Sequence, residues 1–244
     1  MKKYILLLFV LQAGLISAQV EERLTGSELL KRCIAYHDPK GNWEKFRQRL
    51  IVNSVSPNRT NTTVFDIDMV KGDFKMVKNT EGVRIETQVI RGKTYIASIN
   101  GNTQISEEDR KKYRLSNDQI KSTRSYYTYL YGLPMKLKDF GTKVSEEVGQ
   151  EVFNDKNYWV LKVDYVVEIG TDTWYFYINP SNYALEGYRF FHNKQPKDGE
   201  YIILKNTIEM QGIKIPSIRA WYMNKDNKYL GTDSIEGSEG LKKL

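Results

Sequence analysis

The segment Thr173–His192, TWYFYINPSNYALEGYRFFH, constrains the fold of this chain more than any other stretch. Two aromatic, strand-like runs flank the turn-forming cluster Asn179-Pro180-Ser181-Asn182, so the segment reads as an antiparallel hairpin. With those four residues as the loop, Ile178 pairs with Tyr183, Phe176 with Leu185 and Trp174 with Gly187. Alternation then places Trp174, Phe176, Ile178, Tyr183, Leu185 and Phe191 on one face, interrupted by Gly187 and Arg189, with a mixed face opposite. A sheet with one greasy face must have it covered, either by its own helices or by a ligand.

At the N-terminus, Lys2 and Lys3 precede YILLLFVLQAGLI, followed by Ser17 and Ala18, the charged, apolar and small-residue order of a signal peptide cleaved near Ala18. Gln12 and Gly14 interrupt the apolar run, which falls short of the ~20 residues a membrane span needs. Gln19 occupies the expected first mature position and the single cysteine is Cys33, so no lipid anchor is expected. The reading is a periplasmic or secreted protein that touches a membrane peripherally at most. Residues 19–244 are expected to form one domain, because no linker, repeat or low-complexity run divides them. A lone cysteine closes no internal disulfide, so the core must hold the fold in an oxidising compartment. The net charge of +7 falls by two when Lys2 and Lys3 are removed. The remaining cations are interspersed with Asp and Glu instead of forming a basic stripe, which argues against a nucleic-acid partner.

Along the chain, Thr25-Gly26-Ser27-Glu28 has capping-box spacing and opens a helix. Its stripe is Leu29, Leu30, Cys33, Ile34 and His37, and the Asp38-Pro39 step ends it. Cys33 therefore reads as a small buried residue and His37 as a helix-end side chain that satisfies carbonyls. TNTTVFDIDM alternates, with Phe65, Ile67 and Met69 inward and Thr62, Asp66 and Asp68 on a solvated face. Gly-containing turns then join short strands into a meander. Ser106 starts a short charged helix, and Ser116-Asn117-Asp118-Gln119 starts a longer one that carries Ile120, Thr123, Tyr127, Leu130 and Tyr131 and stops at Gly132 and Pro134. Trp159, Leu161, Val163, Tyr165 and Val167 share a face of the next strand pair. The Gln211-Gly212 turn pairs Met210 with Ile213, Pro216 belongs on an edge or at a bulge, and the final GSEGLKKL reads as a loose tail. The pattern predicts a β-rich α+β fold, a large curved antiparallel sheet of roughly ten strands forming an incomplete barrel, with helices packed on one face.

The common hydrolase, metalloprotease, nucleotide and redox motifs do not occur, and His37 and His192 are the only histidines. No catalytic residue, metal ligand or cofactor is assigned. The longer helix is expected to cross the same face as Trp174 and Phe176. The ligand-lining candidates are accordingly Tyr127, Leu130, Leu133, Trp174, Phe176, Ile178 and Leu185.

YLYGLPMKLKD (Tyr129–Asp139), WYFYINPSNYALEGYRF (Trp174–Phe190) and IKIPSIRAWY (Ile213–Tyr222), together with the opening ELLKRCIAYHDPKGNW, resemble an exported family of unknown function from Bacteroidetes-type bacteria. That likeness covers essentially the whole mature chain. More distantly, the order of helix, strands, helical insertion and strands, with a W-x-x-Y-I-x-P-x-x-Y hairpin, is similar to the LolA/LolB lipoprotein-carrier superfamily. The resemblance implies an incomplete β-barrel with a helical lid over an apolar cavity that takes acyl chains. No functional position matches residue by residue, and the absence of a lipidated cysteine departs from the LolB-like members. The function it implies is a soluble exported protein that binds an acyl chain or a lipidated partner without covalent chemistry. The rival is a structural or interaction protein of the cell envelope, with a protein partner and a fully packed interior.

Overall fold

The computed structural model describes residues 24–192 and 198–241; the expected signal peptide, 1–18, lies outside the described residues. The chain begins with helix α1 (Gly26–His37) and runs through β1 (Arg47–Ser56), β2 (Arg59–Asp68), β3 (Asp73–Thr80), β4 (Val83–Ile90) and β5 (Thr94–Ile99). Helices α2 (Glu107–Tyr113) and α3 (Asn117–Gly132) follow, then β6 (Thr142–Phe153), β7 (Lys156–Tyr165), β8 (Thr173–Ile178) and β9 (Leu185–Phe191). Strands β10 (Glu200–Met210), β11 (Ile213–Met223) and β12 (Tyr229–Gly240) complete it. All twelve strands form one antiparallel sheet in the order β5-β4-β3-β2-β1-β12-β11-β10-β9-β8-β7-β6, which is open at β5 and β6. The helical insertion joins those two edges, so the chain has to cross the concave face to pass from one to the other.

Local chemistry sets both helices on that face. The Thr25 hydroxyl caps α1 by accepting from the Glu28 N–H at 3.2 Å. A Cβ on Gly26 would lie 1.8 Å from the Ser145 carbonyl oxygen, so only glycine lets α1 approach β6 this closely. Ser116 and Gln119 form the reciprocal capping box at the start of α3. Leu29 and Cys33 of α1 and Ile120, Leu130 and Tyr131 of α3 join Phe65, Leu161, Phe176 and Ile213 of the sheet in one continuous core. A smaller cluster of Phe153, Tyr158, Val160 and Tyr177 lies on the convex side, where Phe153 stacks on Tyr177 at 4.0 Å.

Several sequence expectations need correction. The hairpin loop spans residues 179–184, not four residues. Asx turns at Asn179 and Asn182 widen it by accepting from the N–H groups of Ser181 and Ala184, both at 2.9 Å. Tyr183 enters the left-handed region at φ 63° and belongs to no strand. Ile178 then pairs with Leu185, and a bulge makes Tyr177 pair with Gly187, Phe176 with Tyr188 and Trp174 with Phe190. Trp174 therefore stacks on Phe190, at 4.6 Å between ring centroids, and does not cover Gly187. Gly187 is bare for a different neighbour, because a Cβ there would meet the Phe153 ring at 2.7 Å.

At the end of β2, Asp68 is not solvated. It is 5% exposed, accepts from Arg47 Nε at 2.8 Å and from the Lys71 N–H at 2.9 Å, and so organises the following turn. Asp66 is half-buried and takes a bidentate pair of contacts from Arg49 at 2.6 and 2.8 Å. Strand β7 ends at Tyr165, which leaves Val167 exposed and not on the inner face. The segment Gly237–Gly240 is not a loose tail; it pairs with β1 from Ile51 to Gln48, where it satisfies ladder groups that β1 would otherwise leave open. Pro216 pairs with Thr207 of β10 and lies beyond Ile218↔Ser234, the last pair between β11 and β12, which agrees with an edge-like position.

Candidate functional site

Helix α3 does not fill the concave face. Between its N-terminal half and the sheet lies a cavity of about 720 Å³, lined on the apolar side by Met76, Leu115, Ile120, Tyr127 and Trp221. A second space of about 450 Å³ lies on the other flank of the helix, against Met69, Tyr129, Tyr165 and Trp174, with Phe140 and Ile169 on its wall. Phe140 is 92% exposed. Packed interiors hold few voids larger than a water molecule, whereas ligand pockets run to ~300–1,000 Å³. Among the described residues, both flanks of α3 thus leave space of ligand size.

The seven residues picked from the sequence share the concave face but divide by role. Leu130, Leu133, Phe176, Ile178 and Leu185 are each 4% exposed or less and belong to the solid part of the core. Only Tyr127 and Trp174 reach open space, Tyr127 in the larger cavity and Trp174 in the smaller. The Tyr127 ring packs on Phe65 at 4.0 Å, and burial pushes its hydroxyl up to about 12. Trp174 meets the edge of Tyr129 at 5.9 Å, and the hydroxyls of Tyr129 and Tyr165 bond at 2.6 Å, tying α3 to β7.

Hydrophobic patterning passes over the polar residues of the larger cavity, although strand alternation carries the signal. Phe74, Met76 and Lys78 are in phase on β3, so a lysine follows two buried residues onto the inner face. Arg59 and Arg114 line the same cavity. Burial, followed by the charges of Arg59 and Arg114, lowers the Lys78 ammonium below the usual lysine range. Elsewhere in the cavity, burial raises Asp233, with Ser54 and Arg219 opposing, and burial likewise raises Glu200. The Thr87 hydroxyl lines the cavity, is buried and has no hydrogen-bond partner.

Arg219 fixes one end of α3. It is 2% exposed, donates to the Pro216 carbonyl at 2.8 Å and the Leu130 carbonyl at 3.3 Å, and lies 4.3 Å over the Tyr131 ring. Leu130 is in the last helical turn, whose carbonyls lack a partner within the helix, so a cation there caps α3. Neither His37 nor Cys33 lines a cavity. His37 accepts from the Leu185 N–H at Nε2 (2.9 Å), which makes Nδ1 the donor to the Lys214 carbonyl at 2.6 Å. It serves a carbonyl of β11, not one of its own helix. Cys33 is fully buried and its thiol is pushed well up. Among the described residues, no group of three His, Cys, Asp or Glu side chains could hold a metal ion, and no helix is long and apolar enough to cross a membrane.

An open antiparallel sheet wrapped around a crossing helix is the LolA-like architecture. A LolA-superfamily protein from Nitrosomonas europaea superposes with a TM-score of 0.52 at 12% identity, covering 90% of this chain and 94% of that one. A domain from Vibrio parahaemolyticus named for outer membrane lipoprotein sorting gives a TM-score of 0.49 at 12% identity, covering 90% and 93%. At 12% identity the likeness to the Nitrosomonas europaea protein concerns the fold. The chain belongs to DUF6503, a family of unknown function whose sequence profile matches residues 2–237. None of the curated protein sequences compared with it matches.

Proposed function

We propose that this protein is exported and binds a hydrophobic ligand, an acyl chain or the acyl group of a lipidated partner, beneath α3 without covalent chemistry. The observation that carries this reading is the cavity of about 720 Å³ between α3 and the concave sheet, which the protein's own side chains leave open. The aromatic and aliphatic groups around it supply the burial that drives such binding, at ~25 cal/mol per Å² of apolar surface removed from water. The LolA-like fold supports the same reading, and the basic, apolar and small-residue order of residues 1–18 supports export.

The test is native mass spectrometry of the protein purified from its own cell envelope, with lipid extraction and titration of a naphthylamine-type apolar fluorophore. The reading expects a copurified amphiphile, fluorophore uptake, and a polypeptide mass set by cleavage near Ala18 with no acyl addition. Protein that carries no lipid and leaves the fluorophore dark would instead favour an envelope interaction protein.

A further inference from the structure

The larger cavity carries a cluster of cations. Arg59 on β2, Lys78 on β3 and Arg114 at the C-terminal cap of α2 line it, close enough for both guanidinium groups to act on the Lys78 ammonium. Arg59 donates to the Thr80 hydroxyl at 3.0 Å, and none of the three makes an ion pair with a carboxylate among the described residues. Glu81, in the neighbouring β3–β4 turn, is held by Lys112 at 3.6 Å. The acidic groups of the cavity, Asp233 on β12 and Glu200 on β10, stand elsewhere in the sheet order. Asp233 is three strand spacings from Lys78, roughly 14 Å along the sheet. The same cavity is lined by Met76, Leu115, Ile120 and Tyr127.

Lys78 is turned inward on the strand that buries Phe74 and Met76 and has no counter-ion, which costs stability in the empty protein, while Arg59 and Arg114 are exposed and add like charge beside it. That cost is offset when an anion enters. Burial of Lys78 and the two guanidinium groups beside it both disfavour its proton. The buried, unpartnered Thr87 hydroxyl supplies a neutral hydrogen-bonding group on the adjacent strand, where Thr87 pairs with Met76.

We propose that this cavity takes a single-chain amphiphile with an anionic oxygen head group, the head held by Arg59, Lys78 and Arg114 and the chain lying under α3 along Met76, Leu115, Ile120 and Tyr127. This rests on the hydrophobic-ligand reading and narrows it to an anionic ligand. Carboxylate and phosphate monoester heads share the required chemistry, since both accept several charge-assisted hydrogen bonds from guanidinium and ammonium groups.

The experiment titrates the mature protein with myristate, tetradecyl phosphate and the neutral tetradecanol, each by displacement of the apolar fluorophore. It is repeated on Lys78→Gln and on the double variant Arg59→Gln/Arg114→Gln. The wild type should prefer at least one anion over the alcohol by roughly tenfold or more, and either variant should erase that preference while leaving tetradecanol binding unchanged. Tighter myristate points to a free fatty acid, and tighter tetradecyl phosphate to a phospholipid-derived ligand. Lys78→Gln should also melt no lower than the wild type, because it removes an unpaired charge from a partly buried position; a merely structural lysine would give the opposite. Equal binding of all three chains, unmoved by the variants, overturns the anionic head-group site and leaves the hydrophobic-ligand reading standing. Failure of every chain and of the fluorophore itself overturns both.

Discussion

The two main helices cover the same concave face in opposite ways. α1 is pressed into the sheet: Gly26 gives up its side chain to the Ser145 carbonyl, Leu29 and Cys33 are fully buried, and His37 bolts the helix to both β11 and the start of β9. No α1 residue lines either cavity. α3 is held most firmly at its C-terminal end, where Leu130, Tyr131 and Leu133 are buried and Arg219 caps the last turn, while nearer its start Ile120 alone is buried. Its N-terminal half carries Gln119, Ser122 and Thr123 into the cavity wall beside Ile120 and Tyr127. Thr123 there spends its hydroxyl on the Gln119 carbonyl at 2.8 Å, the back-bonding expected where no tertiary partner competes. One helix is a plug and the other a roof anchored at one end, so opening can be local to α3 while α1 holds the fold.

The comparison predicts that truncation costs less on the roofed side than on the plugged side. Phe176→Ala, on the plugged side, should lose about 3–5 kcal/mol by urea denaturation, because a fully buried ring disappears and a closed void remains. Met76→Ala, on the roofed side, enlarges a space that already exists and should lose about 2 kcal/mol. A loss at Met76 near the top of the ~2–5 kcal/mol range of an enclosed methionine would mean that the roofed side is packed as tightly as the plugged one.

His37 gives the plug a pH dependence. Burial lowers its pKa from 6.5 to about 4, with the Lys214 carbonyl opposing, so the folded protein holds a neutral imidazole. A depressed histidine contributes its full stability above the unfolded value near 6.5 and loses it as pH falls toward 4. That gap corresponds to about 3 kcal/mol at most. Urea midpoints should drop across this window in the wild type and drop less in His37→Gln, which starts lower at neutral pH. Parallel pH profiles would remove His37 from the account of why α1 is fixed.

Much of this architecture is legible in periodicity and capping residues, since Thr25 and Ser116 announce both helices and the alternation of Phe65 and Ile67 announces the inner face. The hairpin register was not legible, because Asn179 and Asn182 each accept from the backbone N–H two residues on and lengthen the loop, which reassigns Tyr188 and Phe190 to the inner face. The strand at Gly237–Gly240 was hidden because glycine and serine carry no alternation, and its pairing is decided by the open edge of β1. The candidate site was only half legible. Hydrophobic patterning selects what is buried, and so it selected Phe176 and Leu185, which fill the core. A cavity wall mixes polar and apolar residues, and Lys78 and Asp233 become visible only when strand phase is followed without regard to polarity.

Trp174 should behave as an intermediate case. It stacks on Phe190 and meets Tyr129, yet it also faces the space of about 450 Å³. Trp174→Ala should therefore lose about 2 kcal/mol, less than the ~3–5 of a wholly enclosed aromatic, because part of its surface has no packing to lose. Leu161→Ala, at a fully buried position on the neighbouring β7, is the control and should cost more. A larger loss at Trp174 than at Leu161 would place it in the plug.

The smallest expected effect is the most local. Ser116→Ala removes the capping box that closes the exposed end of α3, where the Ser116 hydroxyl accepts from the Gln119 N–H at 3.3 Å and Gln119 Oε1 accepts from the Ser116 N–H at 3.2 Å. Such a loss costs about 1 kcal/mol, close to a fivefold change in an opening equilibrium. Because the first turns of α3 overlie a cavity and its last turn is pinned by Arg219, that free energy should appear as fraying of the roof. Amide hydrogen exchange should accelerate roughly fivefold across the N-terminal turns of α3 and hardly change in α1 or at Leu130. Thr25→Ala removes the matching cap on α1, but there Gly26 and His37 hold both ends of the helix against the sheet, so exchange should rise through global unfolding alone. If both variants accelerate exchange uniformly over the whole chain, α3 opens only with the rest of the protein, and any ligand must enter by another route.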